Sequence, residues 1–192
     1  MVTEIKEFDA MKVSKVALQY IGDEAPAVES FECLGSIGGE TEMRTIVKRC
    51  GGAVRKSKSI PVSHTLTLSG HVPVKTLRSI YGLSNDELKA GVYSYGLDSK
   101  GLDFCLTADV VDEFEDVTKL VAFPNCSSLT GLKYTIDNDA DEVAYVELEF
   151  DARPDDDKQF YYEAFVGEVD AAIASGWHTA FTRELVEEIV AG

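Results

Sequence analysis

No apolar run in the sequence approaches the roughly 18 residues that a membrane-spanning helix needs. Cysteine is sparse. The four, Cys33, Cys50, Cys105 and Cys126, stand no closer than 17 residues apart, so there is no C-x-x-C pair for zinc or redox work. Of the three histidines, His64 and His71 are seven residues apart and His178 is remote, which gives no imidazole cluster. Cysteines scattered in this way read as small apolar side chains. Positive charge is also short: 18 Lys and Arg against 34 Asp and Glu, a formal net charge of −16. A sequence-reading DNA binder needs cations to neutralise phosphate, so the net acidity argues against that class. It does not exclude a surface past which nucleic acid slides without sticking. The opening residues, MVTEIKEFDAMK, mix both signs and lack the apolar stretch of a signal peptide, which predicts a protein made in a cytoplasm.

Motifs that carry chemistry are missing as well. There is no G-x-x-x-x-G-K-[ST], no G-x-S-x-G and no G-x-G-x-x-G following a strand. The Gly-rich stretch Leu34-Gly35-Ser36-Ile37-Gly38-Gly39 opens no helix and reads as a turn. Asp137-Asn138-Asp139-Ala140-Asp141 has oxygen ligands at alternate positions. An EF-hand counted from Asp137 needs Gly and Glu where the chain has Glu142 and Leu148, so this run reads as a solvated hairpin turn. Asp155-Asp156-Asp157 reads as a charged loop. Trp177, Tyr161 and Tyr162 could form a binding platform, but aromatics at element ends read first as packing. An enzyme reading has no motif to stand on, and no cofactor and no metal is expected.

What remains is a chain of 192 residues with 45% hydrophobic and 27% charged side chains, ordinary globular composition and a length that suits one domain over 1–192. Its charge is unevenly placed. Residues 1–60 carry 9 basic and 9 acidic side chains, and residues 61–192 carry 9 basic and 25 acidic. Arg44, Lys48, Arg49, Arg55, Lys56 and Lys58 fall within fifteen residues that contain no acid. A basic segment on an acidic body predicts a molecule able to dock onto copies of itself.

Residues 41–49 alternate with a period of two, Cys50-Gly51-Gly52 can make a tight turn, and 53–60 continues as a polar partner. The spacing predicts a long β-hairpin over 41–60. It carries too little apolar surface to pack on a core of its own, so it is expected to be ordered only when something covers it. Further strands are predicted over 62–72, 103–112, 117–124, 129–136, 142–151 and 158–167. A short amphipathic helix over 74–81 stops at Gly82, a capped helical turn follows Asn85, and a helical stretch from Glu168 breaks at Gly176. A C-terminal amphipathic helix is expected over 178–191. In the strand at 142–151, Ala144, Val146, Leu148 and Phe150 face a core, while Tyr145, Glu147, Glu149 and Asp151 face water. The count gives an α+β protein, mainly β: a β-sandwich or barrel with short flanking helices.

A set of short strings, in order, resembles the major tail proteins (tail tube proteins) of long non-contractile-tailed bacteriophages. They are Phe31-Glu32-Cys33-Leu34-Gly35-Ser36-Ile37, Lys48-Arg49-Cys50-Gly51-Gly52, His71-Val72-Pro73, Tyr81-Gly82 and Leu88-Lys89-Ala90-Gly91-Val92-Tyr93-Ser94-Tyr95-Gly96. Ala122-Phe123-Pro124-Asn125-Cys126, Ile136-Asp137-Asn138, Asp141-Glu142-Val143-Ala144 and Tyr161-Tyr162-Glu163-Ala164 complete it. The match spans roughly residues 30–190, and its specificity lies in order and spacing.

The resemblance implies a virion tail subunit in which six copies close a ring and rings stack head-to-tail into a hollow tube for DNA, which passes without specific binding. It also implies a hairpin that reaches the next ring, an acidic lumen, and partners such as tape measure, terminator and baseplate proteins. No membrane is involved. Tubes of phage-tail-like bacteriocins, which carry no genome, share the pattern. On this basis Arg44, Lys48, Arg49, Cys50, Gly51, Gly52, Arg55, Lys56 and Lys58 are the expected inter-ring contact. Glu147, Glu149 and Asp151 are candidate lumen residues, with an outer or inter-subunit position as the alternative. A ring protein that does not polymerise and a small-ligand-binding β-barrel remain open.

Overall fold

The structure, a computed structural model, describes residues 5–22, 27–134, 136 and 143–188. The Asp137–Asp141 turn lies outside these residues. The protein is mainly β, with eight strands and three short helices among the described residues. The strands are β1 Ala10–Tyr20, β2 Glu29–Phe31, β3 Leu34–Cys50, β4 Ala53–Gly70, β5 Phe104–Asp112, β6 Thr118–Ser128, β7 Val146–Arg153 and β8 Tyr162–Phe165. The helices are α1 Val74–Tyr81, α2 Ala171–Gly176 and α3 Arg183–Val186. All pairings are antiparallel, in the order β2-β1-β5-β6-β7-β4-β3. β6 shares one edge between two partners: Lys119–Ala122 pairs β8, and Asn125–Ser128 pairs β7.

The sheet curls until β1 and β3 approach each other. Its inner face holds the main core, including Val16, Leu18, Leu66, Leu68, Phe104, Leu106, Phe123, Leu148 and Phe150. Phe104 and Phe150 meet edge to face at 5.1 Å. Helix α1 lies where its spacing predicts and buries Thr76, Ile80 and Tyr81; Gly82 ends it in the left-handed conformation at φ 68°. A second, smaller core sits on the opposite face of β5 and β6, where Cys105, Leu120 and Ala122 pack under Trp177 and Phe181. The middle of β5 is therefore covered on both faces, and Cys105 and Thr107 are buried as well as Phe104 and Leu106.

Three expectations are corrected. The helix expected over 178–191 is a single four-residue turn, Arg183–Val186; residues 177–182 turn back across β5, and 189–192 lie outside the described residues. Residues 129–134 form no strand, because they run along the surface with Leu129, Leu132 and Tyr134 exposed. The residues after Asn85 make turns, not a helix: the Asn85 side-chain amide donates to the carbonyls of Lys89 and Val92 and curls the loop onto itself.

Of the free cysteines, Cys105 and Cys126 are buried as small core side chains, and burial pushes the Cys105 thiol up to about 12. Cys33 and Cys50 are exposed.

The edge strand β2 is tied to its neighbours by one carboxylate. Glu29 accepts from the Tyr20 hydroxyl at 2.9 Å and lies 2.7 Å from Lys75 Nζ at the start of α1. Burial works to raise its pKa, but contacts with Lys75, Thr76 and Tyr20 outweigh it and hold the carboxyl below its ordinary 4.5. A depressed carboxyl adds stability that is present above the ordinary value and lost as pH falls through the lower folded value. We predict that Glu29→Gln lowers stability by about 1–2 kcal/mol at pH 7. Urea unfolding at pH 7 and pH 3 checks this: the gap between wild type and variant should shrink at the lower pH.

Candidate assembly surface

β3 and β4 form one hairpin whose ladder runs from Leu34 opposite Gly70 to Cys50 opposite Ala53. β4 has a second partner, β7, only from His64 to Gly70. Past His64 the hairpin leaves the sheet, and its outer part reaches roughly 30 Å at about 3.3 Å per residue. Every residue from Gly38 to Ser59 is exposed. Thr41, Thr45, Ile46, Val47, Val54 and Ile60 favour the extended backbone that the β3–β4 ladder continues beyond the sheet. The turn is Gly51-Gly52, with φ 60° and 83°, the two positive angles that a two-residue hairpin turn requires.

Register sorts the charges. Arg44 opposes Ile60, Ile46 opposes Lys58, and Lys48 opposes Lys56. One face of the hairpin body therefore carries Arg44, Lys48, Lys56 and Lys58. The other face carries Met43, Thr45, Val47, Ser57, Ser59 and Pro61 and has no charge. Thr45 and Ser59 hydroxyls are hydrogen-bonded across it at 2.9 Å. Arg49, opposite Val54, and Arg55, the extra residue of a bulge between Lys48/Lys56 and Arg49/Val54, sit at the tip with Cys50, Gly51 and Gly52.

Glu147, Glu149 and Asp151 alternate on β7 with the buried Leu148, Phe150 and Ala152. Glu147 pairs with Ser69, Glu149 with Thr67 and Asp151 with Thr65. Those β4 residues in turn oppose Ser36, Gly38 and Glu40. Glu42, opposite Ser63, accepts that hydroxyl at 3.0 Å. The outward face of the sheet thus collects Glu40, Glu42, Glu147, Glu149 and Asp151, with Lys133 3.3 Å from Glu147. Since side chains alternate along a strand, Glu40, Glu42, Arg44, Ile46 and Lys48 of β3 lie on one face. The acidic root and the basic hairpin are two ends of a single surface. Glu40 and Glu42 belong to it and were missed, because their facing depends on the β3–β7 spacing across β4.

Two other features could host chemistry. Thr107 Oγ1 lies 2.9 Å from His178 Nδ1, and His178 Nε2 lies 2.7 Å from Asp109 Oδ1. The order Thr–His–Asp resembles a nucleophile relay. Thr107, however, is fully buried, and its hydroxyl points to the Ala17 carbonyl at 3.4 Å, so no substrate reaches it. The relay fastens the turn after α2 to β5, beside Gln19, which donates to the Trp177 carbonyl and accepts from the Phe181 amide. The Thr107-x-Asp109 spacing was visible in the sequence; their contact with a histidine 71 residues on was not. Between β1 and β3 lies an open groove of about 350 Å³, lined by Met11, Val13, Ile37, Val110, Phe123 and Tyr161. It is the feature a small-ligand barrel would use, but it is a trough open to solvent. Among the described residues no group of three His, Cys, Asp or Glu side chains is placed to hold a metal ion, and no helix is long and apolar enough to cross a membrane.

No family model matches the sequence, and no curated protein matches it. Solved structures with a similar fold include the tube-terminating cap of the anti-feeding prophage, with a TM-score of 0.45 and 12% identity over 84% of this chain and 95% of that one. A chain of the sheath–tube complex of PVC, an extracellular contractile injection system in its extended state, gives a TM-score of 0.45 and 15% identity over 81% and 92%. A chain of the anti-feeding prophage baseplate gives 0.44 and 13% over 85% and 97%.

Proposed function

We propose that the protein is a structural subunit of a tail tube, closing into rings, hexameric by the sequence resemblance, that stack into a hollow conduit. The observation that carries this reading is the hairpin. About twenty residues leave the sheet with every side chain exposed, and six of them are cations on a chain of net charge −16. A free two-stranded ribbon is marginal in water, so a neighbour that covers it is the simplest reason for its length. A contact from the tip of one copy to the body of the next is heterologous; it does not close and builds a filament.

In this reading Arg44, Lys48, Arg49, Arg55, Lys56 and Lys58 engage the adjacent ring, with Cys50, Gly51 and Gly52 forming the leading turn. Glu147, Glu149 and Asp151 line the lumen. A carboxylate wall repels a duplex over a Debye length of about 8 Å and lets it pass without gripping it. The remaining partners are tail components that start, measure and end the tube, and the protein resides in the tail of a virion or of a genome-free, phage-tail-like particle.

Negative-stain electron microscopy of the purified protein over a concentration series tests the reading. Hollow tubes or six-fold rings are the expected result. A globular particle that neither closes nor stacks, even when added to preformed tail initiators, would overturn it.

A further inference from the structure

We propose that the charged face also pairs with the same face of a second copy across a two-fold axis, giving a closed dimer that sequesters the hairpin. The argument does not rest on the tube reading. It rests on the lengthwise arrangement of charge: along β3 the sign changes in one pleat step, from Glu42 to Arg44, with acid on the root side and base on the tip side.

A surface of this kind is self-complementary in one way. Copies related by translation present this face in the same direction and cannot set it against itself. A two-fold axis lying in the interface, across the strands, reverses both the face and the strand direction. It places the basic half of each copy on the acidic half of the other. With the axis crossing between Glu42 and Arg44, the ladder fixes which levels meet. Arg44 of one copy meets the level of Glu42 of the second. Lys58, opposite Ile46, meets the level of Glu40, Thr65 and Asp151. Lys56, opposite Lys48, meets the level of Gly38, Thr67 and Glu149.

Every one of these cations thus finds a carboxylate on its own strand level or on the strand beside it, about 4.8 Å away laterally. Ile60, opposite Arg44, and Ile46, opposite Lys58, lie within the basic half and would be covered with it. Such a dimer closes on itself and adds no third copy, so it competes with any head-to-tail contact of the hairpin.

Two charge-reversed proteins test this: Lys56→Glu with Lys58→Glu, and Glu149→Lys with Asp151→Lys. Sedimentation velocity of the wild type should show a species of twice the 21.0 kDa chain. Each variant alone should set like charge on like in both halves and weaken the dimer at least about tenfold. An equimolar mixture should restore a 1:1 dimer, because acid meets base at both ends. A wild type that stays monomeric at about 100 μM, far above the dissociation constants of specific complexes, would overturn the proposal. So would a mixture that stays monomeric. Growth of the mixture past two copies would overturn it too, and would assign the same charges to a head-to-tail contact, leaving the tube reading in place. Circular dichroism of each variant confirms that it is folded.

Discussion

Serine in place of Arg44, Lys48, Lys56 and Lys58 together is expected to raise the protein concentration needed for assembly of the proposed tube by about fivefold to several hundredfold and to flatten its salt dependence. The unfolding midpoint of the free subunit should stay within error of the wild type. All four side chains stand on one face of a ribbon that buries nothing, and among the described residues none of them has a carboxylate partner within its own chain. Their removal therefore takes no packing from the monomer. An exposed ion pair contributes about 0.2–1 kcal/mol, so four cations meeting an acidic neighbour are worth about 1–4 kcal/mol. About 1.4 kcal/mol is one factor of ten. Light scattering against concentration at two salt levels, beside thermal unfolding, reads both quantities. Assembly that keeps its threshold and its salt response in the variant would remove the basic face from the contact.

The same hairpin shows how far the sequence reaches. Gly51-Gly52 and the alternation of 41–49 announce the turn and one strand. Where the ribbon ends is less visible: β4 runs unbroken to Gly70, through Pro61. A proline is tolerated there because β4 has no partner on its far edge beyond His64, and the missing amide costs no bond. The facing of the charges was hidden for a related reason. Val62 is an extra residue between the pairs Glu42/Ser63 and Met43/Pro61, so the parity of β4 changes at the root while that of β3 does not. No single-strand pattern shows which Lys then joins which Glu.

On β7 the alternation was plain, because one face meets the core and the other meets water. β1 was overlooked because its inner half is covered on both sides: Val16 and Leu18 face the main core, and Ala17 and Gln19 face the α2 side. A strand buried on both faces has no period of two to read. The smaller core under Trp177 and the Thr107–His178 contact were hidden for another reason: each needs a partner at least 56 residues away in sequence.

Gly101→Ala is expected to be strongly destabilising, costing about 3 kcal/mol or more. A Cβ built at Gly101 would lie 1.9 Å from the Ile80 carbonyl oxygen and 3.0 Å from its carbon. Both are backbone atoms, so no side chain can swing aside. Ile80 is fully buried in the main core, and the neighbouring Leu102 amide donates to the Ser79 carbonyl at 3.0 Å, which pins the 100–102 segment against the end of α1. Relief requires moving either the helix off the core or the segment off the helix, and each loses buried contacts or hydrogen bonds. Gly82 meets the same segment from the other side: its Cβ would fall 2.1 Å from the Lys100 carbonyl oxygen. Two glycines therefore let two backbones pass at a distance no other residue allows, and the loop over 83–99 hangs from that crossing. Gly96→Ala is the matched control, since nothing lies within 4 Å of a Cβ at Gly96; it should change stability by less than about 0.5 kcal/mol. Urea unfolding midpoints of the two variants beside the wild type decide the matter. Equal midpoints for Gly101→Ala and Gly96→Ala would mean that the crossing at α1 is looser than its backbone contacts require.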